Sequence, residues 1–433
     1  MTAAEGIGGP GGHDGGAVGL AVRRRAPFYR YWLSGFLSDF GDGVRLAALP
    51  LLAARLTGSP AAVAAVTAVQ GLPWLVLGPG AGVIVDRVDR RRLMVAVDSA
   101  RAATVAALAA AILTRADGLA LIYLAAFAAG FGSALRGTAA ITCVPRLVDS
   151  ADLERANGRV IAGQIVGYEL AGPAAGGWLF GMAAVLPFAV NAGTLGIAVL
   201  LLLTLPSVFR PEPAEPDSPP GRASVRLDLA EGLAWLRGHA DIRDLTVAVG
   251  VISAMDAAWF AILVLYVTRI LHQRPGAYGA LLAIGAVGGI AAGGAGSRVT
   301  RRLGMWQVLL LAGLVAAASQ FVLGLTASVV VAAVMLAVSS AALALFNMTA
   351  VTMRQRLVPG RLLGRVSSLY GTVAGGSEAL GALAGGVLAT VTGVRATMLL
   401  GAIPIAAVSI LTAWRHRGAQ RPRGATWRGR ARR

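Results

Sequence analysis

The chain has 433 residues, of which 56% are apolar and 14% charged, and it carries a formal charge of +18. That composition is far from a soluble globular domain. All 39 basic residues are arginine, which excludes the phosphate-loop lysine of a nucleotide-driven machine and the Schiff-base lysine of a carbonyl-handling enzyme.

Residues 1–26 are Gly-rich, with an arginine run at Arg23–Arg25 and no signal-peptide core, and predict a disordered cytoplasmic tail. Apolar runs of about 20 residues follow, each enough for one crossing of ~30 Å. The predicted helices lie near 31–55, 61–85, 93–114, 118–140, 157–181 and 183–205, then 243–270, 276–296, 305–325, 327–350, 366–390 and 394–414. Most arginines fall in the termini and in alternate loops, so the charge reads as topology, with both termini cytoplasmic, rather than as a nucleic-acid stripe. The segment 206–242 is a polar connection whose PEPAEPDSPPG part is extended. After it, Leu227, Ala230, Leu233 and Ala234 share a stripe that predicts an amphipathic helix on the cytoplasmic membrane surface. The tail 415–433 is basic and suits anionic lipid. The expected units are therefore a six-helix bundle at 27–205, the linker at 206–242 and a second six-helix bundle at 243–414.

Two stretches repeat. GVIVDRVDRRR (82–92) is a short basic connection between spans, with Gly78 and Gly82 on one helix face. Gly78, Gly82, Arg87, Arg90 and Arg91 return at one constant spacing as Gly289, Gly293, Arg298, Arg301 and Arg302, with Ser297 where Asp86 stood. LAGPAAGG (170–177) returns as ALGALAGG (379–386), and Glu169 as Glu378. The chain reads as a tandem duplication of about 210 residues, a transporter signature in a polytopic membrane protein. The fold class expected is all-α, with twelve transmembrane helices in two bundles related by a pseudo-two-fold axis.

Charges at membrane depth are costly and mark function. Asp39, Asp42 and Arg45 are three apart on the first helix and share a face. Asp98 and Arg101 on the third read as a structural ion pair, and Asp39 and Arg45 are grouped with them as intramembrane pairs. Arg136 is expected to neutralise Asp86. Asp256, Glu169 and Glu378 lack a basic residue within one turn. Desolvation favours the neutral form of such carboxyls, the property that proton coupling requires. Asp42, Asp256, Glu378 and Glu169 are the proton-coupling candidates, and Glu169 is alternatively a gate beside Gly172 and Pro173, where the fifth helix should kink or pack tightly. Phe36, Phe40, Trp259, Phe260, Tyr266, Met335, Phe346 and Met348 are the candidate cavity lining, an aromatic and methionine surface that accepts varied hydrophobic ligands. The lone Cys143 excludes an internal disulfide, and four scattered histidines show no metal-ligand spacing. No cofactor, metal or nucleotide is expected.

GVIVDRVDRRR resembles the loop 2–3 signature of the major facilitator superfamily, with Gly82, Asp86, Arg87, Arg90 and Arg91 on its key positions. Gly172, Pro173, Gly176 and Gly177 resemble the antiporter-type motif of helix 5. GDG (41–43), ANG (156–158), EGLAWLRGH and PGRLLGRVSSLYG (359–371) are similar to the bacterial drug exporters that include macrolide and enterobactin efflux proteins. The resemblance covers roughly 28–414. It implies a rocker-switch transporter in which Asp86, Arg87 and Arg90, with Gly82, Arg91 and Arg136, form a conformational latch against the start of helix 11. Ser297 departs from the acidic position in the second copy, so only the first loop is expected to act as a full latch, and Thr138 stands where relatives often have proline.

The leading expectation is proton-coupled export of a hydrophobic or amphipathic small molecule by a monomer in the bacterial cytoplasmic membrane, with lipid, substrate and protons as its partners. The alternatives are a proton-independent facilitator or importer of a metabolite, and a non-transporting membrane receptor or scaffold. An enzyme finds no support: the sequence shows no nucleophile, metal cluster or phosphate loop.

Overall fold

The computed structural model describes residues 14–77, 88–149, 152–205 and 231–416. Among them the chain is helical, with no strand. The helices are α1 (Asp14–Leu56), α2 (Pro60–Leu77), α3 (Arg90–Leu113), α4 (Leu119–Cys143), α5 (Leu153–Gln164), α6 (Gly172–Met182), α7 (Leu186–Leu203), α8 (Ala240–Leu265), α9 (Pro275–Leu303), α10 (Met305–Leu325), α11 (Val329–Leu357), α12 (Gly360–Thr392) and α13 (Val394–Arg415). Nine of the described helices are long and apolar enough to cross a membrane. Large apolar side chains such as Leu200, Val330 and Val391 are exposed on them, as lipid-facing surfaces require.

Several boundaries differ from expectation. Helix α1 starts at Asp14, inside the stretch read as a disordered tail. The residues AVGLAVRRR there are mostly good helix formers, and Pro27 is accommodated within the helix. The fifth predicted span is divided: a π-helical stretch, Ile165–Ala171, separates α5 from α6. Pro173 explains it, because proline has no N–H for the carbonyl four residues back and its ring crowds that carbonyl, so the ladder widens just before it. A second π-helical stretch, Tyr266–Ile270, ends α8. The second basic copy is not a loop, since α9 runs through Arg298, Arg301 and Arg302 to Leu303 and turns at Gly304, φ 84°. Gly393, φ 87°, makes the same one-residue joint between α12 and α13. Both sit in the left-handed region that glycine alone enters freely.

The linker helix also departs from its expected place. Residues 231–238 are helical. Glu231 pairs with Arg365 of α12, Gly232 lies against Arg365 and Leu369, and Leu236 is buried with Ile242, Leu245 and Leu362. Of the expected stripe, Leu233 and Ala234 are exposed, and Leu227 and Ala230 lie outside the described residues.

Glycine sets how closely the helices meet. A Cβ on Gly43 of α1 would lie 2.6 Å from the Tyr168 carbonyl oxygen, and one on Gly176 of α6 would lie 2.3 Å from that of Val44. Gly41 faces Asn191 and Thr194 of α7. The glycines flanking Asp42 thus seat α1 on α6, the π-helical stretch and α7, the neighbours it packs against most extensively. In Gly176→Ala the new methyl meets backbone that cannot step aside, so a loss of about 1–3 kcal/mol is expected. In Gly181→Ala, where nothing lies within 4 Å, thermal unfolding in detergent should be unchanged. Equal melting curves for the two variants would remove this account of the seam.

Candidate functional site

Five charges form one buried alternating chain across three helices. Asp42 on α1 lies between Arg45, at 3.5 Å, and Arg101 of α3, with which it makes a closer ion pair. Arg101 also pairs with Asp98 one turn earlier, at 3.0 Å, and Asp98 pairs with Arg136 of α4. The order is Arg45, Asp42, Arg101, Asp98, Arg136. Asp98, Arg45 and Arg101 are 0%, 1% and 2% exposed. Neutral acceptors finish both ends: Arg45 donates to Gln70 Oε1 of α2 at 3.1 Å, and Arg136 donates to the Ser34 carbonyl at 3.3 Å. Gly132 of α4 makes the room, since a Cβ there would sit 2.2 Å from Arg101 Cδ.

Such a chain follows from what burial does to ions. An isolated charge in a low-dielectric interior is heavily penalised, and the penalty falls only when each ion meets an opposite charge and its hydrogen bonds are filled. Alternation lets two carboxylates serve three guanidinium groups. Asp39, half-buried one turn before Asp42, lies within electrostatic reach of Arg136 and Arg101 but ion-pairs with neither. Arg45 thus pairs with Asp42 rather than with Asp39. Arg136 is engaged by Asp98, and its expected partner Asp86 lies outside the described residues.

The other acids are placed differently. Asp256 of α8 is half-buried and accepts a hydrogen bond from Trp259 Nε1 at 2.9 Å. Glu378 of α12 is exposed and within electrostatic reach of Asp256. Glu169 is exposed on the π-helical stretch. None of the three has an ion pair among the described residues. No group of three or more His, Cys, Asp or Glu side chains that could hold a metal occurs among the described residues.

The aromatic candidates separate. Phe36 and Phe40 are half-buried and continue a stacked run from Trp32, with ring centroids 5.9 and 6.4 Å apart. Tyr266 is wholly buried and bonds the Thr326 carbonyl at 3.2 Å, and Phe346 is packed in the core around Leu309. Tyr266 is interior packing, whereas Phe346 also lines a small pocket with Leu245, Trp306 and Leu309. Met348 fills the space beside Gly296 of α9. Trp259 is buried at 7% exposure, with Phe260 edge-on to it and Met335 packed on the same core.

Of the latch residues, Gly82, Asp86 and Arg87 lie outside the described residues. Arg90 is buried at the first turn of α3. Arg91 donates Nε to the Leu202 carbonyl at 2.9 Å and a second bond to that of Leu203, so it caps the end of α7, where a cation suits the unfilled carbonyls. The glycine and proline of the helix 5 motif reach two neighbours. Gly172 and Gly176 meet α1, whereas Gly177 meets Pro275 and Gly279 of α9, and Gly279 meets the Pro173 carbonyl. Sequence reasoning missed Gln70, Ser34 and Gly132. A lone amide inside the apolar α2 was the available signal for Gln70.

Helices of crossing length, apolar outside and ion-paired inside, define a polytopic membrane protein of the solute-transporter class. Residues 17–419 match the transmembrane secretion effector family, and the chain belongs to that family of the major facilitator superfamily. It is 28% identical over 399 residues to the multidrug efflux pump Tap of Mycobacterium tuberculosis, covering 89% of this chain and 93% of that protein. It is 26% identical over 404 residues to Tap of Mycolicibacterium fortuitum, covering 90% and 95%. The fold is similar to the nucleoside transporter NupG, with TM-score 0.72 at 14% identity over 91% of this chain and 98% of that one. It is also similar to a bacterial homologue of the iron transporter ferroportin in an inward-facing state, with TM-score 0.69 at 18% identity over 89% and 98%. Family membership makes the chain a transporter and not an enzyme.

Arg101 is the shared partner of both buried aspartates. Arg101→Met keeps much of the volume but leaves Asp42 with Arg45 alone and Asp98 with Arg136 alone among the described residues, so a loss of about 1–3 kcal/mol is expected. Adding Asp42→Asn and Asp98→Asn should lower stability further, because Arg45 and Arg136 then lose their carboxylates, and thermal unfolding of the purified protein reads both effects. An unaffected single variant would show that the chain carries no stability.

Proposed function

We propose that the chain exports a hydrophobic or amphipathic small molecule, a drug or secondary metabolite, across the bacterial cytoplasmic membrane in exchange for protons. The observation that carries this reading is its likeness, over about nine tenths of its length, to proteins named as multidrug efflux pumps. Twelve spans with both termini cytoplasmic place the α1–α2 connection outside. Two six-helix bundles, 27–205 and 243–414, are supported by matched seams. Gly172 and Gly176 seat on α1 while Gly177 meets α9; their counterparts Gly381 and Gly385 seat on α8 while Gly386 meets α2.

Alternating access is supported by where the halves touch. Arg269 donates to the Gly58 carbonyl at 3.1 Å, Ala61 N–H to Thr390 Oγ1 at 3.3 Å, and Gly177 abuts Pro275, all toward the end that this topology puts outside. That closure suits an inward-facing transporter. Asp256 and Glu378, without cationic partners, are the proton carriers in this reading, and Phe36 and Phe40 with Trp259 and Phe260 offer apolar contacts to cargo. Glu169 is a gate on the π-helical stretch. Asp86, Arg87 and Arg90 form the latch of the outward-open state.

The decisive experiment is efflux of a lipophilic fluorescent dye from energised membrane vesicles, with and without a proton uncoupler. Efflux that stops with uncoupler supports exchange for protons, and efflux that ignores it favours a facilitator. Glu378→Gln is expected to lose gradient-driven efflux while retaining dye exchange across the membrane; an unchanged pH profile counts against Glu378. Asp86→Asn should insert normally and transport poorly, and wild-type rates in that variant would sink its latch role.

A further inference from the structure

The charge chain of α1, α3 and α4 ends on a neutral residue of a different helix. Arg45 is fully buried, and its nearest carboxylate, Asp42, is 3.5 Å away and already engaged more closely by Arg101. Its hydrogen bond goes to Gln70 Oε1, at 3.1 Å. Gln70 is itself fixed from behind, because its carbonyl oxygen occupies the place a Cβ on Gly130 of α4 would take, 1.9 Å away.

The next residue belongs to another seam. A Cβ on Gly71 would lie 3.3 Å from the Ala379 Cβ of α12, and one on Gly375 of α12 would lie 3.8 Å from Trp74 Cβ. Ala379 adjoins Glu378 in sequence. Within two positions on each helix, therefore, α2 and α12 join the end of the N-terminal charge chain to a C-terminal carboxylate without an ion pair.

We infer that Gln70 is a positioning residue that transmits the state of the Asp42–Arg45 pair to the α2–α12 seam beside Glu378. Charge on Asp42 shares Arg45 between the carboxylate and the amide. With asparagine in place of Asp42, Arg45 leans on Gln70 and draws α2 toward α1. Because α2 is also the face that α12 packs against, the displacement reaches the seam directly. Its consequence for transport rests on the export reading; its consequence for the seam does not.

The test reads the seam by cross-linking. A cysteine pair at Trp74→Cys and Gly375→Cys has the Cβ spacing a disulfide adopts, about 3.8 Å, and Cys143→Ser removes the one native thiol. Disulfide formation under a mild oxidant is timed in native membranes, with Asp42 or Asp42→Asn, and with Gln70 or Gln70→Leu. With Gln70 present, Asp42→Asn should change the rate about threefold or more, and with Gln70→Leu it should change nothing, the signature of coupled residues. Gln70→Glu keeps the acceptor oxygen and should keep the response. If Gln70→Leu does not insert, Gln70→Asn, which shortens the reach to Arg45, takes its place. The inference is overturned if Asp42→Asn has no effect with Gln70 present, or if its effect is the same whichever residue stands at position 70. Dye efflux is measured on the same membranes. Uncoupler-insensitive efflux with the cross-linking response intact would end the proton-exchange reading and leave this one standing.

Discussion

The constraint on which the N-terminal half depends is that no guanidinium group can be left alone at membrane depth. Three arginines are buried there, and two aspartates stand between them in alternation. Each carboxylate serves two cations, so removing either aspartate leaves a terminal arginine without a carboxylate among the described residues. The chain crosses α1, α3 and α4, which ties the relative heights and rotations of those helices to one another. Packing in lipid lacks a hydrophobic force between helices, and the ion chain supplies a directional one. Its two ends stop at a side-chain amide and a backbone carbonyl, acceptors that absorb the last donor without adding charge.

Small residues decide which helices the charges can bridge. Asp42 reaches α3 because the glycines on either side of it let α1 lie against α6 and α7, and Arg101 passes α4 because Gly132 leaves it space. The GDG triplet therefore does two jobs: its aspartate makes the chemistry and its glycines set the distance. The same logic governs the long seams between the halves. The third glycine of each duplicated motif, Gly177 or Gly386, meets a helix of the opposite half near that helix's first turn, where Pro275 and Pro60 begin α9 and α2.

The helices were legible in the sequence because apolar runs of crossing length are the strongest signal a chain carries. The charged faces of α1 and α3 were legible too, since three-residue spacing puts side chains on one face. What spacing along one helix cannot show is the partner on the next. Arg136 was expected, from its place near the cytoplasmic end of its helix, to meet Asp86, which lies outside the described residues; it meets Asp98, because interhelical contacts are set by backbone approach. Asp39 and Arg45 share a face yet do not pair, since Asp42 lies nearer Arg45 and the chain had no need of a third carboxylate in contact. Gln70 carries no charge and no motif, so the sequence offers it only as a lone amide in an apolar helix, and the geometry of Arg45 gives it a partner. Tyr266 looked like cavity wall because aromatic content alone does not distinguish a lined surface from a packed interior.

The acids at the centre of each half are met by charge in different ways, although Asp244 of the C-terminal half also pairs with Arg415. In the N-terminal half the buried acids Asp42 and Asp98 are saturated by arginine. In the C-terminal half Asp256 and Glu378 have only an indole N–H and each other, among the described residues. Saturated carboxylates hold a shape, and unsaturated ones can change charge without breaking an ion pair. The α2–α12 contact, where Gly71 meets Ala379, sets the amide that ends the saturated chain one residue from a helix position beside an unsaturated acid. A neutral amide can stand at such a junction without adding a charge to either set.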